Sequence, residues 1–253
     1  MTHLEALLTP TEFAGLHGRD LSETVCIVFD VLRATSTLLH ALAHGAEAVE
    51  PVADIPAALA RRAGQADVLL AGERHGLRID ASLTGGVEFD LGNSPREFTA
   101  ERVAGRRIVM TTTNGTRALH ACTGAAAILA ASFGNLGATA RWLDRHPPSR
   151  ILLVCAGTLD HASFEDALAA GALADEIWNR TANGWVDDAA RMVRELFRAR
   201  RQDLLRAVSE GRNGARLLRL PDLAADVPVC LEPNRFSFVA RMASDGCLRA
   251  EPA

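Results

Sequence analysis

Neither lysine nor tyrosine occurs anywhere in the 253 residues, so all 27 basic side chains are arginine. That double absence removes whole classes of chemistry. A Schiff-base mechanism needs a lysine amine, a GxxxxGK[ST] phosphate loop needs its lysine, and a phenolic general acid needs tyrosine. The five cysteines (Cys26, Cys122, Cys155, Cys230 and Cys247) are dispersed, odd in number and without a CxxC pair. Such a set argues against a disulfide framework or a zinc site and fits a reducing cytoplasm. No apolar run reaches membrane-span length, and the opening "MTHLEALLTP" has no basic segment ahead of a long apolar one. No membrane partner is expected. A formal charge of −4 sets the surface against phosphate backbones, so no nucleic-acid partner is expected either. A homo-oligomer is compatible with this composition but not required by it.

What is present is an alternation of short apolar runs and helical patterns. Strands are predicted at 24–30, 47–52, 67–72, 106–112, 126–131 and 150–157. Helices are predicted at 35–44, 55–64, 116–122, 136–145, 163–180 and 187–209. Strands without polar alternation, separated by helices, imply a mainly parallel sheet covered on both faces. The fold class is therefore α/β, a three-layer α/β/α arrangement in one domain, 1–253. Segment 76–99, rich in Gly, Asp and Ser, is expected as an extended excursion or hairpin. "DVPVC" (226–230) is expected as an edge strand because of its proline. The Arg-rich pattern of 187–209 describes a solvated helix face.

In open parallel sheets, ligands bind beyond the carboxyl ends of the strands. Those ends carry Asp30 before "VLRATST", "GERHG" (72–76), "TTTNGTR" (111–117), "SFGN" (132–135) and "CAG" before "TLDHASFED". A carboxylate closing an apolar strand, as Asp30 does, needs a cation or several donors. Asp30 with Glu165 or Asp166 would serve a hard cation such as magnesium. Ser163 with Asp166 also matches a helix capping box, which needs no metal. Arg33, Arg74 and Arg117 each follow a strand end, and guanidinium forks suit phosphate and other oxyanions. Asn-Gly at 114–115 would signal a hairpin between strands. Here a helical pattern follows, so Thr112, Thr113, Asn114 and Gly115 are expected as an anion cradle at a strand-to-helix junction.

Four segments together resemble one family. "VFDVLRATSTLLHALAHGAEAVEPV", "GERHG" leading to "FDLGNSP", "TTTNGTRAL" and "CAGTLDHASFEDALAAG" are similar, in order, to the signature blocks of the 2-phosphosulfolactate phosphatases. The resemblance implies an α/β/α fold with a mixed sheet. It also implies a Mg2+-dependent hydrolase that removes phosphate from 2-phospho-3-sulfolactate in coenzyme M biosynthesis. The matching residues are Asp30, Arg33, Glu73, Arg74, Asn93, Ser94, Thr113, Asn114, Arg117, Glu165 and Asp166. The stretch "LRIDASLTGGVE" is longer than the family pattern, and His75 stands where a small residue is more usual.

A division of labour follows from chemistry. The partner is a small anionic phosphorylated substrate, and three arginines match its phosphate, carboxylate and sulfonate. Asp30 and Asp166, helped by Glu165 or Glu73, would hold the metal; Arg33, Arg74 and Arg117 would hold substrate; Asn93 and Ser94 would line the wall. The nucleophile stays open between water and Asp30. Cys155 lacks the CxxxxxR loop of cysteine phosphatases, and His75 is either an acid or a solvated loop residue. A phosphatase for another small phosphorylated acid and a non-catalytic anion binder are the other readings.

Overall fold

The computed structural model describes residues 2–181 and 184–253. All six expected strands are present, and four more join them. In chain order they are β1 (His3–Leu7), β2 (Thr24–Phe29), β3 (Ala48–Pro51), β4 (Leu69–Arg74), β5 (Leu77–Arg78), β6 (Arg107–Thr111), β7 (Ala127–Ala131), β8 (Arg150–Cys155), β9 (Phe238–Met242) and β10 (Leu248–Pro252). They form one sheet in the order β1-β8-β2-β7-β9-β10-β3-β6-β4-β5. The fold is three-layer α/β/α with a mixed, mostly parallel sheet. Among the described residues, no helix is long and apolar enough to cross a membrane.

The sheet consists of two parallel halves, β1-β8-β2-β7 and β3-β6-β4. Between them lies the hairpin β9–β10. Its three junctions, β7–β9, β9–β10 and β10–β3, are all antiparallel. An odd number of reversals makes the two halves run in opposite directions. In a flat sheet their carboxyl ends would then lie on opposite edges. Here they meet, because Asp30 after β2 touches Gly115 after β6: a Cβ built on Gly115 would fall 2.7 Å from Asp30 Oδ2. The accumulated right-handed twist of strands curls the sheet until both sets of ends reach one place.

The core explains the curl. In β2, Val25, Ile27 and Phe29 face one apolar cluster with β8, β7 and the helices Leu136–Arg145 and Phe164–Glu176. Cys26 and Val28 face the opposite cluster, together with Val49 of β3, Ile108 and Met110 of β6, and the helices Ala34–Ala43 and Gly115–Ala121. Both halves therefore wrap the same inner helices. The outer face of the second half is closed by Ala58 on Ile55–Gly64 against Val109, Leu70 and Phe89. Each fully buried aliphatic or aromatic side chain contributes about 1.5–3 kcal/mol.

Three expectations are corrected. The 163–180 helix stops at Glu176, followed by a 3-10 turn at Trp178–Thr181. The 187–209 helix is two helices, Asp188–Arg200 and Leu204–Glu210, because Asp203 accepts the Arg206 N–H at 2.9 Å and caps a new start. "DVPVC" is helical (Asp226–Cys230), not an edge strand. Pro228 lies in its first turn, where a missing N–H does no harm. Segment 76–99 contains β5, a short helix Ala81–Thr84 and a 3-10 turn Pro95–Glu97.

Candidate active site

Where the strand ends converge, a cavity of about 470 Å³ opens. Its walls come from both halves: Asp30 and Leu32 after β2, Glu73 to Gly76 at the end of β4, Thr113 and Asn114 after β6, and Gly157 to Leu159 after β8. His75 and Leu159, both at the mouth, hold left-handed backbone (φ 56° each), a conformation few non-glycine residues adopt. A glycine would hold the same backbone at position 75 at lower cost.

One wall is rich in acceptors. Asp30 accepts the Ala34 N–H through Oδ1 at 3.1 Å, which fixes its carboxylate against the following helix. Burial raises its pKa to about 7, opposed by that hydrogen bond and assisted by the charges of Glu73 and Glu165. Asp166 is wholly buried and its pKa is raised well above the usual range by burial and by Asp30. Both of its oxygens accept backbone N–H groups, from Val31 at 2.8 Å and Gly157 at 3.1 Å. It thus ties the loop after β2 to the loop after β8. The capping-box expectation fails here, since Ser163 makes no side-chain cap and Asp166 is turned elsewhere. Glu73 does similar work, accepting the N–H and hydroxyl of Thr113 (2.8 and 2.9 Å) and the Gly76 N–H (2.7 Å).

Three oxygens in this region remain buried without a partner: Glu165 Oε2, Asn93 Oδ1 and Asn114 Oδ1. Glu165 is held from its other oxygen by Asn213, at 2.8 Å. Asn114 is held by its amide nitrogen, which donates to the Ala156 and Leu159 carbonyls. Unpaired buried acceptors beside a desolvated carboxylate are an arrangement a hard cation would satisfy. The expected four-carboxylate set does not form it, however. Among the described residues no three His, Cys, Asp or Glu side chains converge on one ion position. Glu73 and Asp166 are occupied by backbone donors, which leaves Asp30, Glu165 and the amide oxygens of Asn93 and Asn114 as the acceptors still free.

The same cavity also has cationic lining. Arg74 lines the cavity and donates to the Glu73 carbonyl and to Thr111. Arg212 and Arg216, from the helix Arg212–Leu218, line it nearer the surface. None of these three pairs with a carboxylate among the described residues. Arg33 also lines the cavity, but its charge is spent: it pairs with buried Asp226 at 2.6 Å and donates to the Gly76 carbonyl at 2.7 Å.

The family model described as 2-phosphosulpholactate phosphatase matches residues 12–245. The chain belongs to this family of phosphoric monoester hydrolases. A relative from Gloeobacter violaceus, named a probable 2-phosphosulfolactate phosphatase, is 38% identical and is covered over 89% of its length, against 88% of this chain. One from Caldanaerobacter subterraneus, with the same name, is 34% identical, over 93% of this chain and 95% of the relative. A third, from Pseudothermotoga lettingae and so named, is 36% identical over 90% and 93%.

Within this family member the residues expected from sequence separate into groups. Asp30, Glu73, Arg74, Asn93, Thr113 and Asn114 meet at the cavity. Gly115 stands directly behind Asp30, where any side chain would collide with it. Arg117 is a correction. It points outward from the helix Gly115–Ala121 into a separate cavity beside Phe13 and Arg19, because the third helical residue after the cradle faces away from it. Thr112 is turned into its own helix start, exchanging hydrogen bonds with Thr116. Ser94 donates to Asp226 at 2.6 Å, outside the cavity wall. Cys155 is fully buried, with its thiol pushed well above its ordinary pKa by burial and the Asp166 charge, so it offers no thiolate. Arg212, Asn213 and Arg216 escaped the sequence reading. "GRNGAR", with arginines four apart on one helical face, was the available signal.

Proposed function

We propose that this chain hydrolyses the phosphate monoester of 2-phospho-3-sulfolactate to 3-sulfolactate and inorganic phosphate, with Mg2+, as the coenzyme M route requires. The observation that carries the reading is the polarity of the cavity. Asp30, acceptors left unpaired on Asn93 and Asn114, and three arginines without carboxylate partners line one cavity. The volume suits a small ligand. A substrate with a phosphate, a carboxylate and a sulfonate matches that cationic lining.

Asp30, with Glu165, Asn93 and Asn114, would hold magnesium. When bound, it neutralises charge on phosphoryl oxygens. The residues do the rest. Glu73 locks the Thr113 backbone, which fixes the turn that presents Asn114 and the start of the helix Gly115–Ala121. Asp166 fixes the loops after β2 and β8 relative to each other. Arg74 is placed to orient the phosphoryl group by bidentate hydrogen bonds, and its fixed donors act where charge develops.

The test is phosphate release from racemic 2-phospho-3-sulfolactate, with magnesium and with EDTA, beside a panel of phospho-acids. Metal-dependent turnover well above the panel is expected. Turnover of another phospho-acid alone would overturn the substrate, and silence on all would overturn the reaction.

A further inference from the structure

The helix Arg212–Leu218 enters the site from a part of the chain that forms no strand of the sheet. Asn213 anchors it: its amide nitrogen donates to the Leu32 carbonyl at 2.9 Å and to Glu165 Oε1 at 2.8 Å. That anchor sets the rotation of the helix. Arg212 and Arg216, one turn apart on either side of the anchor, then lie along the mouth. Arg212 donates to the Thr158 carbonyl at 3.1 Å, and Arg216 to Asn213 Oδ1 at 3.2 Å and the His75 carbonyl at 3.4 Å. Arg216 lies flat over Gly76, where a Cβ would come within 3.1 Å of its Nη2. Each guanidinium carries five N–H donors. These contacts use one in Arg212 and two in Arg216, and no carboxylate neutralises either charge among the described residues.

Asp30 and Asn114 are buried and Arg74 is half-buried at the strand ends, whereas Arg212 and Arg216 are exposed at the mouth of the same cavity. A phosphate held at the strand ends leaves the esterified alcohol directed toward the helix. We infer that Arg212 and Arg216 select the substrate by the acid groups of its leaving alcohol, one guanidinium for each of two anionic substituents. This assignment rests on the phosphatase reading above and deepens it. The two arginines are specificity determinants; bond cleavage itself is left to the groups at the strand ends. A phosphate ester whose alcohol is uncharged would not engage them, and one with a single acid group would engage one.

Three esters of one secondary-alcohol skeleton test this: 2-phospho-3-sulfolactate, 2-phospholactate and isopropyl phosphate, with two, one and no additional acid groups. Rates with magnesium are compared for the wild type, R212A, R216A and the double variant, with R216K as a variant that keeps charge but loses the fork. Both arginines are exposed, and thermal melting of each variant checks that it is folded. A charge-assisted hydrogen bond corresponds to roughly 10- to 100-fold. Each single variant should lose about that factor in kcat/KM on the two-acid ester. The double variant should lose more on it, less on 2-phospholactate and under about threefold on isopropyl phosphate, with R216K intermediate. Equal losses on all three esters, or none, from an active wild type would overturn the assignment and leave the phosphatase reading intact. A wild type inactive on every ester would overturn that reading, and the assignment with it.

Discussion

Asp30 closes a strand buried on both faces and still keeps its carboxylate at a cavity wall, so two demands meet on one residue. Held with a pKa near 7, it retains a proton in the folded state that the unfolded chain releases at ordinary carboxylate pH. Stability therefore falls as pH rises from about 4 to about 7, and Asp166 contributes with the same sign. His40 acts oppositely. Burial, with help from Arg235, lowers its pKa to about 4, so its contribution is lost as pH falls from its unfolded value through 4. Thermal melting in EDTA, wild type against D30N, removes Asp30 together with its coupling to Asp166 and leaves His40 common to both. The wild-type melting temperature should drop between pH 5 and pH 8 more than that of D30N, and magnesium should recover the loss only in the wild type. Equal slopes would remove Asp30 as the cause. For turnover, D30N should lower phosphate release about 10²–10³-fold or more and weaken magnesium binding in calorimetry. Full activity with unchanged metal affinity would show that the metal site lies elsewhere.

The short helix Asp226–Cys230 shows what one buried charge does at the scale of an element. Asp226 accepts from Arg33 at 2.6 Å, Ser94 at 2.6 Å and Arg96 at 2.7 Å, tying the loop after β2 and the 93–97 turn to the C-terminal helices. Removing one partner of such a pair leaves the other buried and uncompensated. D226A should destabilise by about 3–5 kcal/mol in urea unfolding; a change below about 1 kcal/mol would mean that Arg33 finds water or another acceptor. This network also shows where sequence was legible. β2, β7 and β8 were visible because their runs are apolar on both faces. β1, β9 and β10 were not, since "HLEAL", "FVARM" and "LRAEP" alternate with charge. Asp30, Glu73 and Asn114 were readable as polar groups at strand ends. The carboxylate partner of Arg33 was not, because Asp226 lies 193 positions away. Arg212 and Arg216 were hidden in a chain whose every cation is arginine, where composition cannot distinguish a ligand from a solvated face.

At the scale of the whole molecule, the hairpin β9–β10 is the joint between two opposed half-sheets, and it lies at the centre of the sheet. Deleting residues 238–252 should therefore not trim an edge. It should leave two half-sheets with open flanks at β7 and β3 and no cooperative transition, visible as loss of a single urea unfolding step and as rapid proteolysis. A truncated chain that still unfolds cooperatively would show that the inner helices alone hold the halves together. The same feature bears on synthesis. The joining strands follow the other eight in chain order, so a growing chain carries all of its remaining strands before the pair that seals them is available. During that interval β7 and β3 present unpaired backbone to any neighbouring chain, which is the geometry of edge-to-edge aggregation. Slowing translation before residue 238 should then raise the insoluble fraction in proportion to the pause, a liability of connectivity rather than of stability.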